Sequence, residues 1–199
     1  MKVAAEPLPM VQRADDVPGP AQGCWTYADY AALPDDGWRY EIIRGVLYRM
    51  PSPTTIHQRA VKRFVRLLGP FVEDTGLGEV FVAPLDVELA RDDTVQPDVF
   101  VILKGNPARV TDSHVFGAPD LVIEVKSPGT AGYDRREKQD SYARAGVREY
   151  WVADGGEQTI ELLRLTNGVY VPVGVFQGAS TLPSVVLPGL PVTVEQFFE

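Results

Sequence analysis

The 199-residue sequence predicts one domain of the α/β or α+β class, with helices interleaved with a mixed β-sheet. Three observations support this prediction. A long amphipathic helical pattern lies between short β-prone segments. Two strand patterns are almost continuously apolar, which indicates burial on both faces of a sheet. The last third of the chain alternates strand patterns with turn signals and predicts an antiparallel meander. At 45% hydrophobic residues, the chain can bury one sizeable core but has little room for two.

Residues 1–24 are predicted to form a flexible N-terminal arm, and residues 25–199 the domain. The first 23 residues carry four prolines, scattered charges and no apolar periodicity. A secretory signal needs an uninterrupted apolar segment, which these charges and prolines exclude. No other apolar stretch approaches the roughly 20 residues of a membrane-spanning helix. We therefore expect a cytoplasmic protein with no membrane partner, and its single cysteine, Cys24, cannot form an internal disulfide.

The first half of the chain predicts a helix, a hairpin and a longer helix: 27–33, 39–43 with 46–50, and 55–74. Thr26 is the predicted N-cap of the first helix, because its hydroxyl can accept a hydrogen bond from a free amide of the first turn. The hairpin turns at Arg44-Gly45, where glycine tolerates a positive φ. In the longer helix, apolar residues recur at three-to-four spacing and form one core-facing stripe, although Pro70 can kink or divide it.

The second half predicts three strands, a helix and a final meander: 80–89, 98–103, 121–125, the helix 134–145, and strands 149–153, 159–165 and 169–175. The strands are rich in β-branched residues and are separated by proline or glycine. Asp134 is the predicted N-cap of the helix, and Gly146 lies just past its end. Turn signals at 154–156 and 166–168 connect the strands of the meander.

Two carboxylates and a lysine interrupt otherwise apolar strand patterns. Asp98 opens the strand 98–103, and Glu124 and Lys126 lie in the segment 120–126. A buried charge without a partner is costly, and strand residues two apart point to the same face. If the two strands pair, the three groups converge, and Asp98 and Glu124 can share Mg²⁺ or Mn²⁺, which prefer oxygen ligands. Lys126 beside the ion would help to activate water and offset phosphate charge. A buried ion pair that only terminates the strands is the alternative.

The order of these residues resembles the signature of the PD-(D/E)XK nuclease superfamily, whose members cut DNA with divalent metals. Asp98 follows a proline, and 25 residues separate it from Glu-x-Lys. From Thr26 to the C-terminus, the chain resembles the Uma-type family of restriction endonuclease-like proteins. The segments that carry this resemblance are 26–27, 33–37, 39–45, 83–87, 96–98, 118–125, 137–138 and 142–151. The resemblance implies a restriction-endonuclease-like sheet, phosphodiester hydrolysis and, often, a homodimer.

The same resemblance implies further catalytic residues. Many relatives lack a lysine two residues after the glutamate and use one on the following helix, which corresponds to Lys138 here. This sequence has both lysines, so either Lys126 or Lys138 can serve the metal site. Glu41 lies where superfamily members often place an acidic residue near the metal. A surface pair of Glu41 with Arg39 or Arg44 is the alternative.

Charge argues both against and for a nucleic-acid partner. The net charge of −8 opposes DNA binding, because phosphate contacts are made mainly by Lys and Arg. Residues 57–68 nevertheless contain four cations and no acid, so one helix can present a basic face. The candidates for DNA contact are His57, Arg59, Lys62, Arg63 and Arg66. A solvated helix face is the alternative.

Together these patterns predict a magnesium-dependent endodeoxyribonuclease that acts as a homodimer, so that two active sites address two strands. No organic cofactor is expected, and two isolated histidines with one cysteine argue against a zinc site. Two other functions stay open. One is a catalytically silent nuclease-fold module that binds a partner protein, and the other is a nuclease directed at RNA or at a particular nucleic-acid structure.

Overall fold

The computed structural model describes residues 11–126 and 134–199, which form a mixed α+β fold. The helices are α1 (Tyr27–Ala31), α2 (Thr55–Val72) and α3 (Asp134–Ala145), followed by a 3₁₀ helix at Val194–Phe197. The strands are β1 (Gln12–Arg13), β2 (Arg39–Ile43), β3 (Val46–Met50), β4 (Gly78–Val82), β5 (Asp86–Ala90), β6 (Asp93–Val95), β7 (Val99–Leu103), β8 (Arg109–Val110), β9 (His114–Phe116), β10 (Leu121–Val125), β11 (Glu149–Asp154), β12 (Thr159–Thr166) and β13 (Val169–Gln177).

These strands form two mixed sheets. The first sheet has the order β1-β3-β2-β6-β5-β9-β8, and the second has the order β13-β12-β11-β10-β7-β4. In the second sheet, β10 is parallel to β11 and antiparallel to β7. Strands β11, β12 and β13 form the predicted antiparallel meander. The chain passes from the first sheet to the second between β6 and β7, over residues 96–98 only.

The second sheet is buried on both faces. Helix α2 covers one face with its apolar stripe, which packs Phe64 and Leu68 against residues such as Val101. On the opposite face, alternate strand residues such as Val122 pack against Tyr142 of α3 and against the first sheet. Burial of one such side chain stabilises the fold by about 1.5–3 kcal/mol. The nearly continuous apolar strands that the sequence shows are explained by this double burial.

Local sequence signals set several element ends as predicted. Thr26 and Asp29 form a capping box at the start of α1, with the Thr26 hydroxyl 2.6 Å from Asp29 Oδ2. Strands β2 and β3 have the predicted bounds, and Arg44 and Gly45 at their turn have φ values of 51° and 70°. Helix α2 continues through Pro70 and is not divided there.

Other elements differ from the prediction. The segment 80–89 forms two strands, β4 and β5, which lie in different sheets. Their separate partners decide this split, since β4 pairs with β7 and β5 pairs with β6 and β9. The sequence does not predict β1, β6, β8 or β9, because strands of two or three residues are too short to show a period.

Part of the predicted N-terminal arm belongs to the fold. Gln12 and Arg13 pair with β3, and the amide of Ala14 donates to the carbonyl of Leu47 at 2.9 Å. Ala14 is completely buried beside Trp25. Residues 12–14 of the predicted arm therefore contact the fold through main-chain pairing and the burial of Ala14. Residues 1–10 lie outside the described residues.

Candidate active site

Strands β7 and β10 bring two predicted site carboxylates together. Ile123 lies opposite Val99 in the antiparallel register, so the next step along both strands places Glu124 opposite Asp98. Oδ2 of Asp98 accepts a hydrogen bond from the main-chain amide of Val125 at 2.8 Å. The strand pairing required for convergence of the two carboxylates is therefore present.

Lys138 of α3 connects the two sheets through ion pairs. Its Nζ atom lies 2.9 Å from Oε1 of Glu124, on the second sheet, and 3.1 Å from Oε1 of Glu41, on the first. Lys138 is 5% exposed and Glu41 is 2% exposed. Charged side chains that are this deeply buried are stabilised by their ion-pair partners, because removing one partner leaves the other charge uncompensated. The site is thus built across both sheets and held by one ammonium group.

Tyr142 lies one helical turn after Lys138 in α3 and also binds the carboxylate of Glu124. Its hydroxyl donates to Oε1 of Glu124 at 2.6 Å, and its ring is completely buried. Residues four apart share a helix face, which explains why Lys138 and Tyr142 reach one oxygen. The four-residue spacing from Lys138 is the sequence signal for this polar contact.

Lys126 is directed away from this cluster. Its Nζ atom lies 3.0 Å from Oδ2 of Asp154, and its side chain is 42% exposed. The hydrogen bond from Lys126 lowers the pKa of Asp154. Val125 lies opposite Ala153 in the parallel register of β10 and β11, so the next step places Lys126 beside Asp154. Of the two candidate lysines, Lys138 is the one that contacts Glu124.

Burial dominates the electrostatic environment of Glu124. The pKa of Glu124 is raised from 4.5 to about 8, chiefly by burial, and the nearby carboxylates of Asp98 and Glu41 contribute to this rise. Lys138 and Tyr142 act in the opposite direction. A second cation beside Asp98 and Glu124 would favour the ionised carboxylate.

The donor set at this point fits a hard divalent cation. Asp98 and Glu124 offer carboxylate oxygens, the ligands that Mg²⁺ prefers, and Mg²⁺ commonly keeps several water ligands beside one or two carboxylates. Within residues 11–126 and 134–199, no three His, Cys, Asp or Glu side chains lie close enough together to hold a metal ion. The chemistry of the donors therefore supports two protein ligands with water in the remaining positions.

The predicted DNA-contact residues of α2 lie on two different faces. Nε2 of His57 is 2.9 Å from Oδ2 of Asp98, so His57 faces the carboxylate cluster. Arg59, Lys62 and Arg66 are exposed. At about 100° per residue, Arg59 lies roughly 160° around the helix from His57. Arg63 donates to the carbonyl of Phe198 in the C-terminal segment. The histidine and the exposed cations thus belong to separate surfaces.

Known proteins support the same interpretation of fold and family. Residues 27–195 match the Uma2 family model, described as "Putative restriction endonuclease". The chain belongs to the Uma2 family. The structure also resembles the crystal structure of a "putative nuclease belonging to DUF820" from Anabaena variabilis ATCC 29413, with a TM-score of 0.70 and 21% identity over 87% of this chain and 97% of that chain. At this identity, the likeness concerns the fold. No curated protein matches the chain.

Uma2 membership confirms the family resemblance deduced from the sequence and the restriction-endonuclease-like fold. It also supports the general assignment as a nuclease-family protein. Within the described residues, no helix has both the length and the hydrophobicity needed to cross a membrane.

Proposed function

We propose that this Uma2-family protein is a divalent-metal-dependent nuclease that hydrolyses DNA phosphodiester bonds. The observation that carries the proposal is the position of Lys138, whose ammonium bridges Glu124 and Glu41 while Glu124 adjoins Asp98. Carboxylates beside a buried ammonium provide the two requirements of phosphoryl hydrolysis, which are a metal-binding pair and a group that offsets developing negative charge.

Each residue of the cluster has a distinct role in this proposal. Asp98 and Glu124 would hold Mg²⁺ or Mn²⁺, and the ion would supply Lewis-acid stabilisation of the phosphate and an activated water. Lys138 holds Glu124 and Glu41 in place and offsets negative charge on the phosphate. Tyr142 occupies Oε1 of Glu124 and thereby fixes the orientation of this carboxylate. Lys126 is assigned no catalytic role because its ammonium is bound by Asp154.

DNA contact is assigned to both faces of α2. His57 lies against Asp98 and is assigned to the region of the scissile phosphate. The exposed cations Arg59, Lys62 and Arg66 are assigned to phosphates outside that region, where they compensate locally for the net charge of −8. A homodimer would allow two such sites to address the two strands of a duplex.

Plasmid cleavage with Mg²⁺ and Mn²⁺ tests the catalytic assignment. We expect Asp98→Ala, Glu124→Ala and Lys138→Ala each to lower the cleavage rate by about 10²-fold or more, because each removes a ligand or an electrostatic contact of the site. Lys126→Ala is the matched lysine control and is expected to cleave at the wild-type rate. Full activity in both carboxylate variants would refute the site, and loss only in Lys126→Ala would transfer the role to that lysine.

Calorimetric titration with Mn²⁺ separates the enzyme from a silent interaction module. We expect one class of Mn²⁺ site in the wild type that is lost in Asp98→Ala. Absence of Mn²⁺ binding together with absence of cleavage would favour the module. Comparison of duplex DNA, single-stranded DNA and RNA in one buffer then identifies the substrate class, and preference for RNA would correct the DNA assignment.

A further inference from the structure

Asp98 lies in a very short crossing between the two sheets. Strand β6 ends at Val95 in the first sheet, and β7 begins at Val99 in the second, so three residues span the gap. The middle residue of this crossing, Pro97, has no main-chain N–H to donate. Gln96 and Asp98 are therefore the residues of the crossing whose main-chain N–H groups can anchor it.

The side chain of Gln96 is anchored to the first sheet by Asp86. Val87 of β5 pairs with Val95 of β6, and the next step in this antiparallel register places Asp86 opposite Gln96. Nε2 of Gln96 donates to Oδ1 of Asp86 at 2.8 Å, and the hydroxyl of Tyr30 donates to the same oxygen at 3.2 Å. A hydrogen bond to an ionised acceptor in a shielded location is stronger than a neutral one, so this contact can hold the start of the crossing.

The main chain of the crossing connects this anchor to the catalytic carboxylates. The amide of Gln96 donates to Oε1 of Glu41 at 2.8 Å, and this oxygen is also 3.1 Å from Nζ of Lys138. Two residues further on, the side chain of Asp98 accepts the amide of Val125 at 2.8 Å. A displacement of Gln96 would therefore move the Glu41 contact and the Asp98 contact together.

We propose that the Asp86–Gln96 pair is a positioning device that holds the crossing segment so that Glu41 and Asp98 converge on Glu124 across the two sheets. Both members act through the main chain of the crossing rather than on reacting atoms. The effect of the pair on catalysis rests on the proposed nuclease function. Its effect on the geometry of the site is measurable without metal or DNA.

Hydrogen exchange of individual amides tests the geometry directly. In Asp86→Ala, the amides of Gln96 and Val125 are expected to exchange roughly tenfold faster, because their acceptors are no longer held in place. The amide of Leu162, in the distant β12, serves as the internal control and should keep its protection. Asp86→Asn retains an oxygen acceptor for Gln96 and is expected to restore slow exchange.

A second variant keeps the test valid if Asp86→Ala does not fold. Gln96→Ala removes the side-chain anchor but retains the main-chain N–H that binds Glu41, and the same two amides should again exchange faster. Gln177→Ala replaces an exposed glutamine at the end of β13 and is the matched control, with no expected change at either amide. Unchanged protection of both amides in all folded variants would overturn the positioning role.

Kinetics and metal binding provide the catalytic test. With DNA as substrate, Asp86→Ala and Gln96→Ala should lower kcat about tenfold or more with little change in KM, and should weaken Mn²⁺ binding in calorimetry. Asp86→Asn should recover most of the wild-type kcat and most of the wild-type Mn²⁺ affinity. If the wild type neither binds Mn²⁺ nor cleaves DNA, the nuclease proposal fails, while faster exchange of the two amides would still support the positioning role. Wild-type kcat and Mn²⁺ affinity in both alanine variants would refute any role in positioning the metal ligands.

Discussion

The metal-free protein should lose stability as Glu124 ionises. Burial raises the pKa of this carboxyl from 4.5 to about 8 in the folded state. Between these pH values, the folded protein keeps a proton that the unfolded chain releases, so the free energy of unfolding falls as the pH rises. The contribution is fully present below about pH 4.5 and is lost as the pH passes through about 8.

The size of this loss follows from the pKa difference. A tenfold difference in proton affinity corresponds to about 1.4 kcal/mol, so a pKa raised from 4.5 to about 8 sets an upper limit of roughly 5 kcal/mol. The side chain of Glu124 keeps 16% exposure, so solvent screens part of this shift. We therefore expect a loss of about 2–3 kcal/mol between pH 5 and pH 9.

Urea unfolding of wild type and Glu124→Gln in EDTA, from pH 5 to pH 9, measures this loss. Glutamine resembles the protonated acid and does not titrate, so the wild-type free energy of unfolding should fall relative to that of the variant as the pH rises. Glu79→Gln replaces an exposed carboxyl of β4 and should follow the wild-type curve. Parallel curves for wild type and Glu124→Gln would refute the reasoning.

Two further predictions concern stability. Glu149 is completely buried and accepts hydrogen bonds from the hydroxyl of Ser184 and the amide of Val185, both at 2.6 Å, so Glu149→Ala should lower the free energy of unfolding in urea by about 3 kcal/mol. In Gly78→Ala, the new Cβ would lie 2.2 Å from the carbonyl oxygen of Ile102, so a main-chain shift should cost about 1–3 kcal/mol and lower Tm in a thermal melt.

Each of these stability predictions has a matched control. Glu79→Ala truncates an exposed glutamate and should change the free energy of unfolding by less than about 0.5 kcal/mol. Gly155→Ala adds a Cβ that meets no atom within 4 Å, and it should leave Tm nearly unchanged. A Glu149→Ala protein as stable as Glu79→Ala would contradict the structural role of the buried carboxylate. Equal Tm values for the two glycine variants would contradict the close strand contact at Gly78.

The pairing of Asp98 with Glu124 could be predicted because both residues belong to strands with clear local patterns. Each strand is apolar enough to require burial on both faces, and neighbouring buried strands commonly pair. Helix α2 and the hairpin of β2 and β3 follow from periodicity and turn chemistry in the same way. These elements depend mainly on residues close to one another in the chain.

The choice of lysine could not be predicted in this way. The position of Lys126 is decided by the pairing of β10 with β11, in which Val125 lies opposite Ala153 and the amide of Lys126 donates to the carbonyl of Ala153 at 2.8 Å. Lys126 is therefore free to pair with Asp154, which adjoins it only in the folded sheet. The division of residues 80–89 between two sheets has the same origin, since partner strands and not local pattern decide where each half lies.

The sequence by itself determined the family, the main helices and strands, and the identity of the two paired carboxylates, because periodicity, caps and motif spacing are local properties. Only the tertiary structure decided which lysine ammonium contacts these carboxylates. Helix α3 is docked on β6 by Asp93, which is buried and accepts hydrogen bonds from Ser141 and Arg144. This docking brings Lys138 between Glu41 and Glu124 from a distant part of the chain, and contacts of such long range depend on packing that no local pattern specifies.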